Sequence, residues 1–73
     1  MKVRCDISGL DCAACAAKLE GIMQRKFNGA SLNYAMGSLV LDVDDGEDED
    51  DVASRANAIA ADFEDGITVA LRD

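Results

Sequence analysis

The apolar residues of this 73-residue chain change their period along the sequence, and they do so twice in the same order. Val3, Cys5 and Ile7 alternate with Arg4, Asp6 and Ser8, the period of two expected of a strand with one buried face. Gly9 ends that run. Cys15, Leu19, Ile22, Met23 and Phe27 then recur at spacings of three and four, which predicts a helix from about Ala13 to Lys26, stopped by Asn28-Gly29. Leu32 and Tyr34, followed by Leu39, Leu41 and Val43, predict a hairpin of strands over 30–35 and 38–44, turning at Met36-Gly37-Ser38. Past Asp45-Gly46, the residues Val52, Ala56, Ile59, Ala60 and Phe63 repeat the offsets of the first helix, behind acids that suit a helix N-terminus. Ile67, Val69 and Leu71 alternate again after Gly66, as a last strand.

The order is βαββαβ across residues 1–73, with no linker or low-complexity tract, so the chain is read as a single α+β domain. Two strand-helix-strand halves predict a ferredoxin-like sandwich, a four-stranded antiparallel sheet with both helices on one face. Right-handed crossovers bring Leu10–Ala14 to the same end as Phe63-Glu64-Asp65 and leave the acidic run Asp42–Asp51 at the other. A chain this short buries only about 60% of its unfolded surface, so its core yields a few kcal/mol unless a disulfide or metal adds to it.

Three cysteines and no histidine exclude a histidine base, a Cys-His nucleophile pair and a mixed Cys/His zinc finger. Fifteen acids against seven basic residues, net charge −8, repel phosphate backbones and anionic lipid headgroups, which argues against nucleic-acid and membrane-surface partners. No apolar run approaches the roughly 18 residues of a membrane span, and Met1-Lys2-Val3-Arg4 leads into alternation instead of a signal-peptide core. The chain reads as soluble and unexported. The odd cysteine count argues for reduced thiols in a cytosol and against a secreted disulfide framework.

Cys12 and Cys15 fall at the junction of the first strand and first helix, one in the loop and one in the opening turn. The amide groups and dipole of a helix N-terminus lower thiol pKa and favour the thiolates that soft and borderline metals require. Three roles fit such a pair: small apolar residues, a redox couple, or metal ligands. A thioredoxin-like redox fold uses a longer chain and a proline packed on the cysteines, and this chain has no proline. Metal ligation is the reading preferred. Cys5, facing inward from the first strand, is expected in the core, as is Phe63 under the thiol loop. Met23 and Met36 lack the spacing to join the cysteines in a thioether site.

The run Gly9-Leu10-Asp11-Cys12-Ala13-Ala14-Cys15-Ala16-Ala17-Lys18-Leu19-Glu20 resembles the heavy-metal-associated domain, whose usual signature is Gly-Met-Thr-Cys-x-x-Cys followed by a helix. Leu10 stands in place of the methionine and Asp11 in place of the threonine or serine of copper-handling members. An aspartate there resembles the N-terminal domains of zinc-, cadmium- and lead-exporting P-type ATPases, and the resemblance implies that Asp11 joins Cys12 and Cys15 as a ligand. Asp11 can otherwise serve as a helix cap. Cu(I) is content with two thiolates, whereas Zn²⁺ and its heavier relatives prefer about four ligands, so a Cys₂Asp set suits Zn²⁺, Cd²⁺ or Pb²⁺ better than Cu⁺. Water, a second Asp11 oxygen, a partner's thiol, Glu64 or Asp65 could complete it.

The expected function is therefore capture of a divalent heavy metal by a cytoplasmic, non-enzymatic domain of a P-type ATPase in an inner or plasma membrane. Its partners would be the ion and the transmembrane and ATP-binding parts of that parent. A free-standing metallochaperone for copper or mercury is the alternative within metal binding, and a thiol-disulfide oxidoreductase the alternative from another class. The eight acids in the ten positions Asp42–Asp51 fail as an EF-hand loop, because setting Gly46 at the invariant glycine puts Leu41 and Val43 at ligand positions. They read as a solvated turn and a helix start.

Overall fold

The computed structural model describes residues 1–72. Six elements follow one another as β1 (Lys2–Ser8), α1 (Ala13–Lys26), β2 (Gly29–Asn33), β3 (Ser38–Asp42), α2 (Glu49–Phe63) and β4 (Thr68–Leu71). The strands form one antiparallel sheet in the order β2-β3-β1-β4. This is the ferredoxin-like sandwich that the doubled period predicts. No helix among the described residues is long and apolar enough to cross a membrane.

The core lies between one face of the sheet and the two helices. Val3, Cys5 and Ile7 of β1 and Leu39 and Leu41 of β3 meet Leu19 and Met23 of α1 and Val52, Ala56 and Ala60 of α2, all buried. Each large aliphatic side chain fully buried there contributes roughly 1.5–3 kcal/mol. Cys5 is 1% exposed and is a core residue, as expected. Phe63 packs against the core but is only half-buried. Alanines at 53, 56 and 60 let α2 approach the sheet closely.

Three sequence-based expectations shift. The buried stripe of α1 runs through Ala16, Leu19 and Met23, while Cys15 and Ile22 stay half-buried. Ala16 is small enough to lie against the sheet, and the one-residue rotation leaves Cys15 at the rim. The hairpin strands are shorter than 30–35 and 38–44, because the Asn33 side chain accepts the Met36 N–H (3.1 Å) and diverts the backbone into a turn at Tyr34–Gly37. Past β3, the Val43 N–H donates to the Met1 carbonyl at 2.9 Å, outside the ladder. The last strand starts at Thr68, one residue late, because the Ile67 N–H turns back to the Glu64 carbonyl at 3.5 Å.

Each edge strand is pinned by a side chain from the helix above it. Glu20 of α1 accepts the Leu32 N–H of β2 at 2.7 Å, and Asn57 of α2 accepts the Val69 N–H of β4 at 2.9 Å. Those edge amides are thereby withdrawn from pairing with another chain.

Candidate metal centre

The loop 9–12 ends on Cys12, which is the N-cap of α1, extended at φ −155° and ψ 157°. Its sulfur accepts the Cys15 N–H at 3.2 Å, and its carbonyl accepts the Ala16 N–H at 3.1 Å, opening the helix. The cap is thus a thiol, where the sequence offers Asp11 for that role. Capping is decided by which residue immediately precedes the first helical turn, and that turn begins at Ala13. The first turn of α1 holds no acid, and the side chain that accepts from its amides is the Cys12 sulfur.

The two sulfurs lie 2.9 Å apart and share a thiol hydrogen bond, Cys12 exposed and Cys15 half-buried. The hydrogen bond with Cys15, aided by the Cys15 amide, pulls the Cys12 thiol pKa down. Cys15 is pushed up, first by that same bond and then by burial, the Cys12 charge and Glu64, against a smaller opposing effect of Lys18. The two thiols therefore shift in opposite directions, Cys12 down and Cys15 up.

The position of the thiol loop is set by a backbone contact. Gly9 has φ +91°, and a Cβ there would stand 2.1 Å from the Gly66 carbonyl oxygen. Only glycine allows the loop after β1 to touch the loop before β4, with Ser8 paired to Thr68 immediately alongside. The second loop carries Glu64, the C-cap of α2. One carboxylate oxygen of Glu64, Oε2, is buried with no hydrogen-bond partner. The hairpin turn closes on the same end, where the Gly37 carbonyl accepts the Ile7 N–H at 2.9 Å.

Of the three residues the sequence singles out, the structure brings Cys12 and Cys15 into contact. Asp11 lies exposed in the preceding residue and makes no side-chain hydrogen bond or ion pair among the described residues. No group of three cysteine or carboxylate side chains converges on one point among the described residues. Two thiolates on a tetrahedral Zn²⁺ stand about 3.8 Å apart, given bonds of roughly 2.3 Å, so binding requires the sulfurs to part by about 1 Å. The donor set suits a soft or borderline ion. At the far end, Asp48 caps α2 and Arg55 pairs with Glu47 at 2.6 Å and Asp51 at 3.3 Å, as expected of a turn and helix start.

Sequence reasoning did not separate Glu64 from Asp62 and Asp65, nor foresee the Gly9–Gly66 contact. A glycine directly before a thiol loop and another directly before the last strand were the available signal.

No protein-family model and no curated protein matches the chain. Solved structures share its fold. A chain from work on crosstalk between Cu(I) and Zn(II) homeostasis has 14% identity and a TM-score of 0.73, over 99% of this chain and 98% of that one. A yeast copper transporter domain, solved in the apo and Cu(I)-loaded states, has 14% identity and a TM-score of 0.72, over 99% and 94%. The N-terminal domain of a potential copper-translocating P-type ATPase from Bacillus subtilis, Cu(I)-loaded, has 23% identity and a TM-score of 0.61, over 96% and 84%. At these identities the likeness establishes the fold.

Proposed function

We propose that the domain captures a soft or borderline heavy-metal ion as cargo between Cys12 and Cys15 and passes it on by ligand exchange. The observation that carries this reading is the pair of sulfurs 2.9 Å apart at the rim of the fold, one of them capping a helix whose first turn holds no acid. The helix N-terminus stabilises the thiolate, and the loop leaves coordination positions open to an incoming thiolate from another protein. The domain holds and releases the ion and makes or breaks no covalent bond of a substrate.

Asp11 directs the finer reading toward Zn²⁺, Cd²⁺ or Pb²⁺, in a cytoplasmic module of a metal-exporting P-type ATPase. A carboxylate brings hard oxygen that a divalent ion uses and Cu(I) does not. Cu(I) is the second reading, favoured by two observations: the fold neighbours include copper-handling domains, and no third donor converges on the thiols.

Competitive titration of the reduced protein with Zn²⁺, Cd²⁺ and Cu(I), repeated on Asp11→Ala, separates the two. The divalent reading expects a loss of about 10-fold or more in Zn²⁺ and Cd²⁺ affinity, with Cu(I) little changed. Unchanged Zn²⁺ and Cd²⁺ affinity would show that Asp11 is not a ligand.

A further inference from the structure

The two sulfurs of the thiol loop lie closer together than an ion between them would allow. Their separation is 2.9 Å. A tetrahedral divalent ion needs its thiolates about 3.8 Å apart, whereas a disulfide bond brings sulfurs to about 2.05 Å, so the metal-free pair sits between the two arrangements. It reaches either by a shift of about 1 Å, in opposite directions. The two outcomes exclude each other, because the thiolate is the metal ligand and sulfurs bonded to one another offer none.

The fold also settles which of the free thiols can take part. Cys12 is exposed, Cys15 lies against it half-buried, and Cys5 is shut into the core at 1% exposure. An accessible cysteine with a second one in reach to resolve it is the form that redox-sensing pairs take. In a reducing compartment a disulfide of this kind is transient and reports the thiol balance instead of stapling the fold. The core owes nothing to the bond, since Val3, Leu19, Leu39 and Val52 are buried without it.

We propose that Cys12 and Cys15 form a redox switch on the metal site: a low-molecular-weight disulfide of the glutathione class closes them into an intramolecular disulfide that excludes the ion, and the corresponding thiol reopens them. The assignment rests on the thiol pair being the metal site. The exposed Cys12 thiolate attacks one sulfur of the small disulfide, forming a mixed disulfide and releasing the first small thiolate. The Cys15 thiolate then attacks the Cys12 sulfur, closing the Cys12–Cys15 bond and releasing the second. The protein gives up two electrons, the small disulfide is reduced to two thiols, and those thiols carry off the two protons that the cysteines lose. The domain is itself what is oxidised and turns over no other protein, which separates the switch from an oxidoreductase.

The test treats the reduced full chain, as wild type, Cys12→Ser and Cys15→Ser, with glutathione disulfide, with and without a saturating load of Zn²⁺ or Cd²⁺. Alkylation after denaturation and intact mass count the thiols. Competition titrations with Zn²⁺, Cd²⁺ and Cu(I) are run before oxidation, after it, and again after reduction with glutathione. The wild type is expected to lose two hydrogens and keep Cys5 as its alkylatable thiol. Its affinity for all three ions should fall more than about 100-fold and return on reduction. Bound Zn²⁺ or Cd²⁺ should slow the oxidation about 10-fold or more, because occupancy removes the free thiolates. Cys15→Ser should stop at a stable glutathione adduct on Cys12, and Cys12→Ser, left with the half-buried Cys15, should react more slowly. A wild type that keeps all its thiols, or stays as a glutathione adduct, while its reduced form binds metal overturns the switch and leaves the metal site standing. An oxidised form that binds the ions as tightly as the reduced one, or a disulfide that takes in Cys5, overturns it too. A disulfide formed in a protein whose reduced form binds none of the three ions overturns the metal reading, and the switch falls with it.

Discussion

The two helices begin with the same problem and solve it with different chemistry. Each N-terminus exposes amide groups without intrahelical partners and a positive dipole end. At α2 the answer is carboxylate: Asp48 caps, accepting the Asp50 N–H at 3.2 Å, and Glu49, Asp50 and Asp51 fill the first turn. Arg55 then gathers Glu47 and Asp51 and lies 5.5 Å over the ring of Phe27, the C-cap of α1. At α1 the first turn holds no acid, and the cap is the sulfur of Cys12. At α2, Glu47 and Asp51 are already held by Arg55, and Asp48 by the Asp50 amide. The Cys12 thiol at α1, its pKa lowered by the hydrogen bond with Cys15, binds soft ions and exchanges partners. Equivalent places in the two halves therefore become a structural end and a site.

Substituting the cysteines tests that contrast most severely. Cys12→Ser or Cys15→Ser should cost more than the roughly 100-fold that loss of an outer-shell partner produces in metal affinity, with the circular dichroism spectrum kept, since both residues lie outside the buried core. Retained affinity in both variants would move the site elsewhere.

Metal affinity should also rise steeply with pH, because binding displaces the thiol protons. Below the lowered pKa of Cys12 two protons are released per ion, and affinity rises as much as about 100-fold per pH unit. Between the Cys12 and Cys15 values one proton is released, and above the raised value of Cys15 the dependence vanishes. A pH-independent affinity from mild acidity to neutrality would contradict thiolate ligation.

Gly9→Ala probes the contact that joins the two loops. Forcing a side chain into φ +91° costs roughly 1–3 kcal/mol, and the 2.1 Å approach to the Gly66 oxygen adds to it. Denaturant unfolding should show the loss, and metal titration a weaker site. Wild-type stability in this variant would mean that the two loops are free to part.

The smallest effect is expected at the other helix. Asp48→Ala should remove about 1 kcal/mol of stability by chemical denaturation and leave metal affinity unchanged. A matching loss of metal affinity would erase the distinction between the two ends.

Much of this was legible in the residues. Val3-Cys5-Ile7 and Ile67-Val69-Leu71 declare their strands because a period of two survives whatever packs on the buried face, and Leu19-Met23 and Val52-Ala56-Ala60 declare helices for the same reason. Cys12 and Cys15 stood out because their spacing and place at a strand-helix junction are both local. The rotation of α1 was not legible, since Cys15 and Ala16 fit the stripe equally well until the helix meets the sheet. Nor was the cap, which turned on a single residue at the helix start.

By itself the sequence determined the order of elements, the absence of histidine ligands and the pair of thiols at a helix N-terminus, because all three depend on residues near one another in the chain. Only the tertiary structure decided that Gly9 meets Gly66 across 57 positions, and that Glu64, alone among the acids beside the thiols, holds a buried oxygen without a partner. Burial and partnership belong to the space between segments, and no local pattern along the chain encodes which carboxylate the fold will leave dry.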